Sequence, residues 1–202
     1  MKKSEIKEFF KAIRDNDLRK VSSLIALDHA YLSVCNFSPP KKDDGQSALQ
    51  VAFKCGNFDI ARFLIDQGAA VNFIETSLVN EWTAPVLHDC IRAVIFNSYT
   101  LQKDQTRFGE GFALLQSMLE RGANPNATDS YGNNCLHRAI LDARQMIDNP
   151  GAGLSNGILL EQLRKVFAVL LAAGADPEIA NESRPSAKSD LVTFRLEKYQ
   201  LW

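Results

Sequence analysis

The residues of this 202-residue chain best suited to chemistry are two pairs of histidine and cysteine. His88 lies two positions before Cys90, and Cys135 lies two positions before His137. Imidazole nitrogens and thiolates are zinc ligands, and a histidine beside a thiol can activate it as a nucleophile. The two pairs run in opposite order and their cysteines are 45 residues apart, whereas structural zinc sites have shorter, matching spacings. We therefore expect neither a metal site nor a catalytic cysteine.

Other patterns that could bind a ligand are weak. The glycine-rich run at 149–153 lacks a preceding strand and the Gly-Lys-Ser/Thr ending of a phosphate-binding loop. Lysine and arginine are spread along the chain and the net charge is −1, so nucleic acid is not an expected partner. No pair of acids is marked out for acid–base catalysis. The sequence predicts a protein that is not an enzyme, with no cofactor and no small-molecule substrate.

The composition bears on where the protein works. Hydrophobic residues make up 46% and charged residues 23%, as in ordered globular proteins. No apolar run approaches the roughly 20 residues of a membrane-spanning helix, and Glu5, Glu8 and Lys11 interrupt any secretion signal. The four scattered cysteines are typical of a reducing compartment. We expect a cytoplasmic protein without membrane contact.

The elements that would position these residues form a repeated pattern. Between Asp44 and Asn72, apolar residues recur at helical spacing, and Gly56 and Gly68 each follow a helical stretch. A pair of such short helices cannot bury its apolar faces alone and must stack on neighbours. The beginning of the pattern recurs at 129–139 and more loosely at 83–88, and its Gly-Ala ending recurs at 119–126 and 170–177.

The stretch 44–72 resembles the ankyrin repeat over nearly its full length. Residues 47–50, Ser-Ala-Leu-Gln, stand where the family has Thr-Pro-Leu-His, and Ala52 is the small residue of the first helix. His88 and His137 occupy the Leu-His position, where the family's histidine hydrogen-bonds backbone across repeats. The resemblance implies an all-α solenoid of stacked helix-turn-helix units with hairpin-like fingers. It also implies a concave face, built from fingers and first helices, that usually binds a protein partner.

The repeats predict a single domain over 1–202, with a degenerate first repeat and a C-terminal cap of one or two helices. In the first repeat, Asp17 is expected to cap the second helix. The predicted divisions are an N-terminal cap repeat at 1–43, repeat 2 at 44–80, repeat 3 at 81–128, repeat 4 at 129–181 and a C-terminal cap at 182–202.

Repeats 3 and 4 carry insertions. From the motif leucine to the helix-ending glycine, repeat 2 counts 19 residues, repeat 3 counts 35 and repeat 4 counts 38. The extra residues therefore fall between the two helices of a repeat. We expect lengthened helix pairs that pack on themselves, with an added shelf for a partner as the alternative. The apolar residues that continue the first helix of repeat 3 are Ile91, Val94, Ile95 and Leu101.

The fingers are irregular too. The finger before repeat 3 is about five residues longer than usual, by comparison with the next finger, within 73–81. Aromatic side chains on a rigid concave face carry most of the energy of a protein interface, although each could instead pack within its own finger. The predicted contact surface consists of Phe37, Phe73, Glu75, Trp82, Asp129, Tyr131 and Asn133.

The sequence thus predicts a protein–protein interaction module, and by analogy a dedicated inhibitor or immunity-type binder of one partner. The alternative is a scaffold or host-directed effector with several partners. A remote alternative is an enzyme with its site in the inserted helices. That alternative requires a concave polar pocket with two or more perturbed ionisable groups near 87–122 or 136–174.

Overall fold

The computed structural model describes residues 1–37, 39–77, 79–100 and 103–202. Over these residues the regular structure is helical, and it comprises four helix pairs followed by a ninth α-helix. The prediction of an all-helical solenoid is confirmed. The helices are α1 (Lys3–Arg14), α2 (Leu18–Leu27), α3 (Ala48–Cys55), α4 (Phe58–Asp66), α5 (Val86–Phe96), α6 (Thr106–Glu120), α7 (Cys135–Ile147), α8 (Ile158–Ala172) and α9 (Ala187–Thr193).

The pairs stack in chain order. The first helices pack in the series α1, α3, α5, α7 and α9, and the second helices in the series α2, α4, α6 and α8. One continuous apolar core runs through the stack. Its repeated members are the motif leucines of successive first helices, Leu49, Leu87 and Leu136, each of which is no more than 2% exposed. Among the described helices, none has the length and apolar character needed to cross a bilayer.

The second helix of the first pair begins at the predicted N-cap residue. The Asp17 carboxylate accepts a hydrogen bond from the backbone N–H of Lys20 at 2.9 Å, which satisfies a free donor at the start of α2. Phe9, Phe10 and Ile13 of α1 are fully buried against the rest of the stack. The prediction that Asp17 caps this helix is confirmed.

Asparagine side chains join one pair to the next. The Asn72 side chain donates to the Gly122 carbonyl at 2.8 Å and accepts from the Asn124 N–H at 2.7 Å. Asn126 repeats the arrangement one pair later, with the Gly174 carbonyl at 2.8 Å and the Asp176 N–H at 3.0 Å. The asparagine that ends one pair therefore satisfies the backbone at the end of the next pair's second helix.

The helices of the third and fourth pairs are longer than those of the second. Helices α3 and α4 have 8 and 9 residues, whereas α5 and α6 have 11 and 15, and α7 and α8 have 13 and 15. The link between the two helices also grows, from residues 56–57 in the second pair to 97–105 in the third and 148–157 in the fourth. Leu101, which was expected to continue α5, lies outside the described residues.

The fingers pack against each other through backbone hydrogen bonds. Isolated bridges join Cys35 to Ser47 and Ile74 to Pro85, so these fingers have a hairpin form. The Thr76 N–H donates to the Gly45 carbonyl at 3.1 Å, which links the first finger to the second. Gly45 has φ of +75°, and a Cβ at this position would overlap the backbone of Ser77. Only glycine satisfies both conditions.

Gly45→Ala is expected to lower the free energy of unfolding by about 2–5 kcal/mol, because positive φ and backbone overlap both penalise the new Cβ. Gly68 is a matched control: its φ is +90°, but a Cβ there would meet no atom within 4 Å. Gly68→Ala should therefore cost only the conformational penalty of about 1–2 kcal/mol. Urea denaturation measures both values, and equal losses would show that the two fingers do not approach closely at Gly45.

Candidate functional site

A groove of about 980 Å³ lies where the second finger faces the first helices. Its walls are Lys42 of the first finger, residues 79–82 of the second, residues 53–56 at the end of α3, one side of α5 and Arg107 of α6. Residues 79–81 belong to the enlarged part of the finger, and Phe96 and Arg107 lie at facing ends of the lengthened α5 and α6. The groove is therefore built largely from the irregular parts of the third repeat.

Two buried carboxylates form the floor of the groove. Asp89 is 3% exposed and accepts a hydrogen bond from Nε2 of Gln50 at 2.8 Å. Burial raises the pKa of Asp89 to about 7, against the opposing effect of that hydrogen bond. Glu75 is 4% exposed and accepts from Nε2 of Gln46 at 3.2 Å, and burial likewise raises its pKa. Within the described residues, neither carboxylate forms an ion pair.

The buried Asp142 of α7, unlike Asp89, forms an ion pair. The guanidinium of Arg138 donates to both of its oxygens, at 2.8 and 2.6 Å. Burial raises the pKa of Asp142, and Arg138 opposes this by favouring the charged form. Asp89 has only a neutral amide in that place, so its charge is not compensated and the fold favours its protonated form.

The rim of the groove is cationic. Lys42, Lys54 and Arg92 are exposed, and Arg107 is half-buried. Lys54 donates to the Lys42 carbonyl at 3.0 Å. The Arg92 guanidinium lies 5.1 Å from the centre of the Phe96 ring, which holds it over the groove.

Arg107 is held more firmly than the other rim cations. Its guanidinium stacks 4.4 Å from the Phe58 ring centre, donates to the Gly56 carbonyl and pairs with Glu110 at 3.1 Å. The one acidic side chain of the groove lining that is exposed is Glu81. A molecule entering the groove therefore meets mainly positive charge, although acids lie beneath it.

Two of the predicted contact residues line the groove, Glu75 on the floor and Trp82 on the wall. The Trp82 ring is half-buried, and its Nε1 donates to Asp129 Oδ2 at 3.0 Å. This hydrogen bond ties the second finger to the third. Part of the indole faces the groove, so Trp82 is both a structural and an accessible residue. Glu75 is too buried for direct contact, because its carboxylate lies beneath the rim.

Asp129 and Asn133 hold a turn of the third finger. Asp129 Oδ1 accepts from the backbone N–H groups of Tyr131 and Asn133, both at 2.9 Å, and Oδ2 accepts from the Asn133 amide at 2.9 Å. Burial acts to raise the pKa of Asp129, but the hydrogen bonds from Asn133 and Trp82 outweigh it and keep that pKa below its usual value. Both residues are 5% exposed, and their direct contact with a partner stays a prediction.

The three remaining aromatic residues lie outside the groove lining. Phe37 is 39% exposed, with the Lys3 ammonium 6.0 Å from its ring centre, and Tyr131 is 51% exposed. Phe73 is half-buried against the core. The structure thus brings together Trp82 with Glu75, and Trp82 with Asp129 and Asn133, but it does not gather all seven predicted residues on one surface.

The two histidine–cysteine pairs lie in the helix core. His137 contacts Asn134 Oδ1 and the Pro185 carbonyl, each at 2.8 Å, and the second contact crosses to the next unit. His88 is 1% exposed, and burial lowers its pKa to about 4. Burial also raises the pKa of the Cys90 and Cys135 thiols. Within the described residues, no group of three or more metal-binding side chains lies together.

The groove residues that the sequence analysis missed are mainly polar side chains on first helices. Asp89 and Arg92 are charged residues in the largely apolar helix α5 and lie three positions apart, so they share one face. Lys54 occupies the last turn of α3, where a cation is also a common helix-end residue. The pair on α5 was the available signal, since buried polar positions in a repeat helix require a partner.

Replacement of Asp89 by asparagine tests the buried carboxylate. Between about pH 4 and 7 the folded protein keeps a proton on Asp89 that the unfolded chain releases, so this residue makes stability fall as pH rises. His88, with its lowered pKa, has the opposite effect between about pH 4 and 6.5. Asp89→Asn keeps the hydrogen bond with Gln50 and removes only the first effect.

The variant is expected to unfold with a free energy that exceeds the wild-type value by about 1–4 kcal/mol at pH 8 and by far less at pH 4. Urea denaturation at both pH values measures the difference. Glu182→Gln, at an exposed position, is the control and should change stability by no more than about 0.5 kcal/mol. The same difference at pH 4 and pH 8 for Asp89→Asn would show that Asp89 ionises freely in the folded protein.

Comparison with known proteins agrees with the stacked architecture. The family model named "Ankyrin repeat" matches residues 44–75, which include α3, α4 and the start of the second finger. No curated protein matches the chain. The matched unit contains the resemblance at 44–72, and the other helix pairs stack on it in the same order. Residues 44–75 of the chain are therefore similar to the ankyrin repeat.

Proposed function

We propose that this protein is a non-catalytic module that binds a protein partner in the groove. The observation that carries the proposal is the groove itself, about 980 Å³ of concave space between the second finger and the first helices. Ankyrin repeats are typically non-catalytic interaction modules that bind other proteins. Val79, Trp82 and Phe96 offer apolar surface there beside the cations of the rim, and hot spots of protein interfaces combine such groups.

The walls of the groove are held in place before a partner binds. The first and second fingers share the hydrogen bond between Thr76 and Gly45, and the Ser130 N–H donates to the Thr83 carbonyl at 2.9 Å. Trp82 adds its indole hydrogen bond to the third finger. Because these contacts already order the fingers, binding would lose little conformational entropy.

We further propose that the module serves one dedicated partner, as an inhibitor does, in the cytoplasm. The support is the dependence of the groove on the enlarged second finger and on the lengthened α5 and α6, whose shape the second pair does not repeat. A scaffold for several partners would be expected to use the regular parts of the concave face. The free thiols of all four cysteines are in keeping with a reducing compartment.

An enzyme is the second candidate, because the groove does contain ionisable groups with shifted pKa values. Asp89 lies within the inserted repeat and Glu75 lies beside it on the floor. A general acid or base must reach the proton that it transfers. With exposures of 3% and 4%, these two carboxylates present almost no surface to a substrate, which favours binding over catalysis.

Site-specific photo-crosslinking tests the proposed binding site. A photoreactive amino acid replaces Val79, which lines the groove and is 61% exposed, and in a separate variant replaces Lys165 on the exposed side of α8. After irradiation in lysate of the source organism, the Val79 variant is expected to form one dominant covalent adduct with a protein, identified by mass spectrometry. The Lys165 variant should not form it. Equal labelling from both positions, or no adduct from Val79, would contradict binding in the groove.

A further inference from the structure

We propose that the groove binds an acidic segment of the partner, whose carboxylates pair with the rim cations and whose aliphatic or aromatic side chains contact Val79, Trp82 and Phe96. This inference rests on the proposed function, because it names the chemistry of the partner at the same groove. The exposed charges of the groove are mostly positive, and contacts with neighbouring groups restrain them before a ligand binds.

The accessible charges of the groove are mostly positive. Lys42, Lys54 and Arg92 are exposed, and the Arg107 side chain is 38% exposed, whereas Glu81 is the exposed acid among the lining residues. Arg107 already pairs with Glu110, so three rim cations without an ion pair among the described residues face one anion. A partner carboxylate that approaches the groove would therefore be attracted, and a partner ammonium would be repelled.

The buried carboxylates near the groove offset this charge only in part. Asp89 faces Gln50, Lys54, Glu75 and Arg92, and Asp142 also lies near Arg92. Asp142 accepts both hydrogen bonds of the Arg138 guanidinium, and burial raises the pKa of Asp89 to about 7, so that about half of the Asp89 carboxyls are protonated at neutral pH. Neither acid forms an ion pair with Arg92 among the described residues. The Arg92 guanidinium is thus left without a carboxylate partner while it is held on Phe96.

The cations come from four separate elements, the first finger, α3, α5 and α6. A ligand that fills the groove would contact more than one of them, so its affinity would depend on several charges together. Three of their charged groups are already restrained, that of Arg92 by Phe96, that of Arg107 by Phe58 and that of Lys54 by the Lys42 carbonyl. Restraint before binding lowers the entropy cost that weakens most exposed ion pairs.

A mixed peptide fits this lining better than a nucleic acid strand. Val79 and Phe96 add aliphatic and aromatic surface between the cations, which suits the apolar side chains of a peptide. The cationic groups also contact a carbonyl or an aromatic ring at separate places, and they do not form one continuous stripe that a phosphate backbone could follow. An oligonucleotide is therefore included as a competing outcome of the test.

Fluorescence anisotropy with defined probes tests the inference. The probes are a fluorescein-labelled 12-residue peptide of Glu, Leu and Phe, the same peptide with every Glu replaced by Lys, and a labelled single-stranded 12-nucleotide DNA. At 50 mM salt the acidic peptide is expected to bind at least about tenfold more tightly than either other probe. Its affinity should fall severalfold at 300 mM salt, because accessible charges are screened.

The double variant Lys54→Gln/Arg92→Gln removes two rim charges and should weaken binding of the acidic peptide at least about fivefold. The matched control Lys7→Gln/Lys165→Gln removes two exposed charges outside the groove and should bind as the wild type does. Urea denaturation of both variants confirms that they remain folded. Unchanged binding by the first variant, or tighter binding of the basic peptide or the DNA, would overturn the acidic-segment proposal.

Absence of binding by all three probes would also overturn it. That result leaves the proposed function to be decided separately, because the photo-crosslink from Val79 reports a protein in the groove whatever its charge. A Val79 adduct without acidic-peptide binding would mean that the groove binds a protein of different chemistry. Loss of both would remove the groove as a binding site.

Discussion

No helix pair of this protein can bury its apolar faces alone, and the rest of the structure depends on that constraint. Leu49, Leu87 and Leu136 occupy equivalent buried positions, and each first helix packs on the next. Asparagines at the ends of two successive pairs add polar joints, since Asn72 and Asn126 each bind the backbone of the following pair. Each pair is therefore stabilised mainly by its contacts with the adjacent pairs, as expected for a solenoid.

Stacking constrains only the parts of each pair that face a neighbour. Residues added at the finger tips or at the ends of helices therefore leave the joints intact, and this protein carries its irregularities there. The enlarged second finger and the lengthened α5 and α6 meet around one concave space. The groove is thus a local departure from the repeat that the regular joints on either side can support.

The sequence predicts the fold well because helical periodicity, caps and glycine positions are local signals. The Asp17 cap follows from them, and the contact of His137 with the next unit follows from the resemblance to the ankyrin repeat. The sequence predicts the candidate site less well, because a polar residue in a finger can bind either a neighbouring finger or a partner protein. Asp129 and Asn133 proved to hold a turn, and spacing alone does not show that Trp82 reaches Asp129.

The same limit explains why the helix residues of the groove were missed. Whether Arg92 faces solvent or a carboxylate depends on how α5 packs against α3 and α7, which is a tertiary property. Two buried acids differ in this respect. Asp142 is paired with Arg138, four residues earlier on its own helix, whereas the hydrogen-bond partner of Asp89 is Gln50 on α3, which the sequence of α5 alone does not reveal. A carboxylate buried with only an amide opposes folding when it ionises, and its protonation leaves nearby cations uncompensated. The buried Asp89 therefore lowers the stability of the folded protein, and the same burial leaves the rim of the groove with an excess of positive charge.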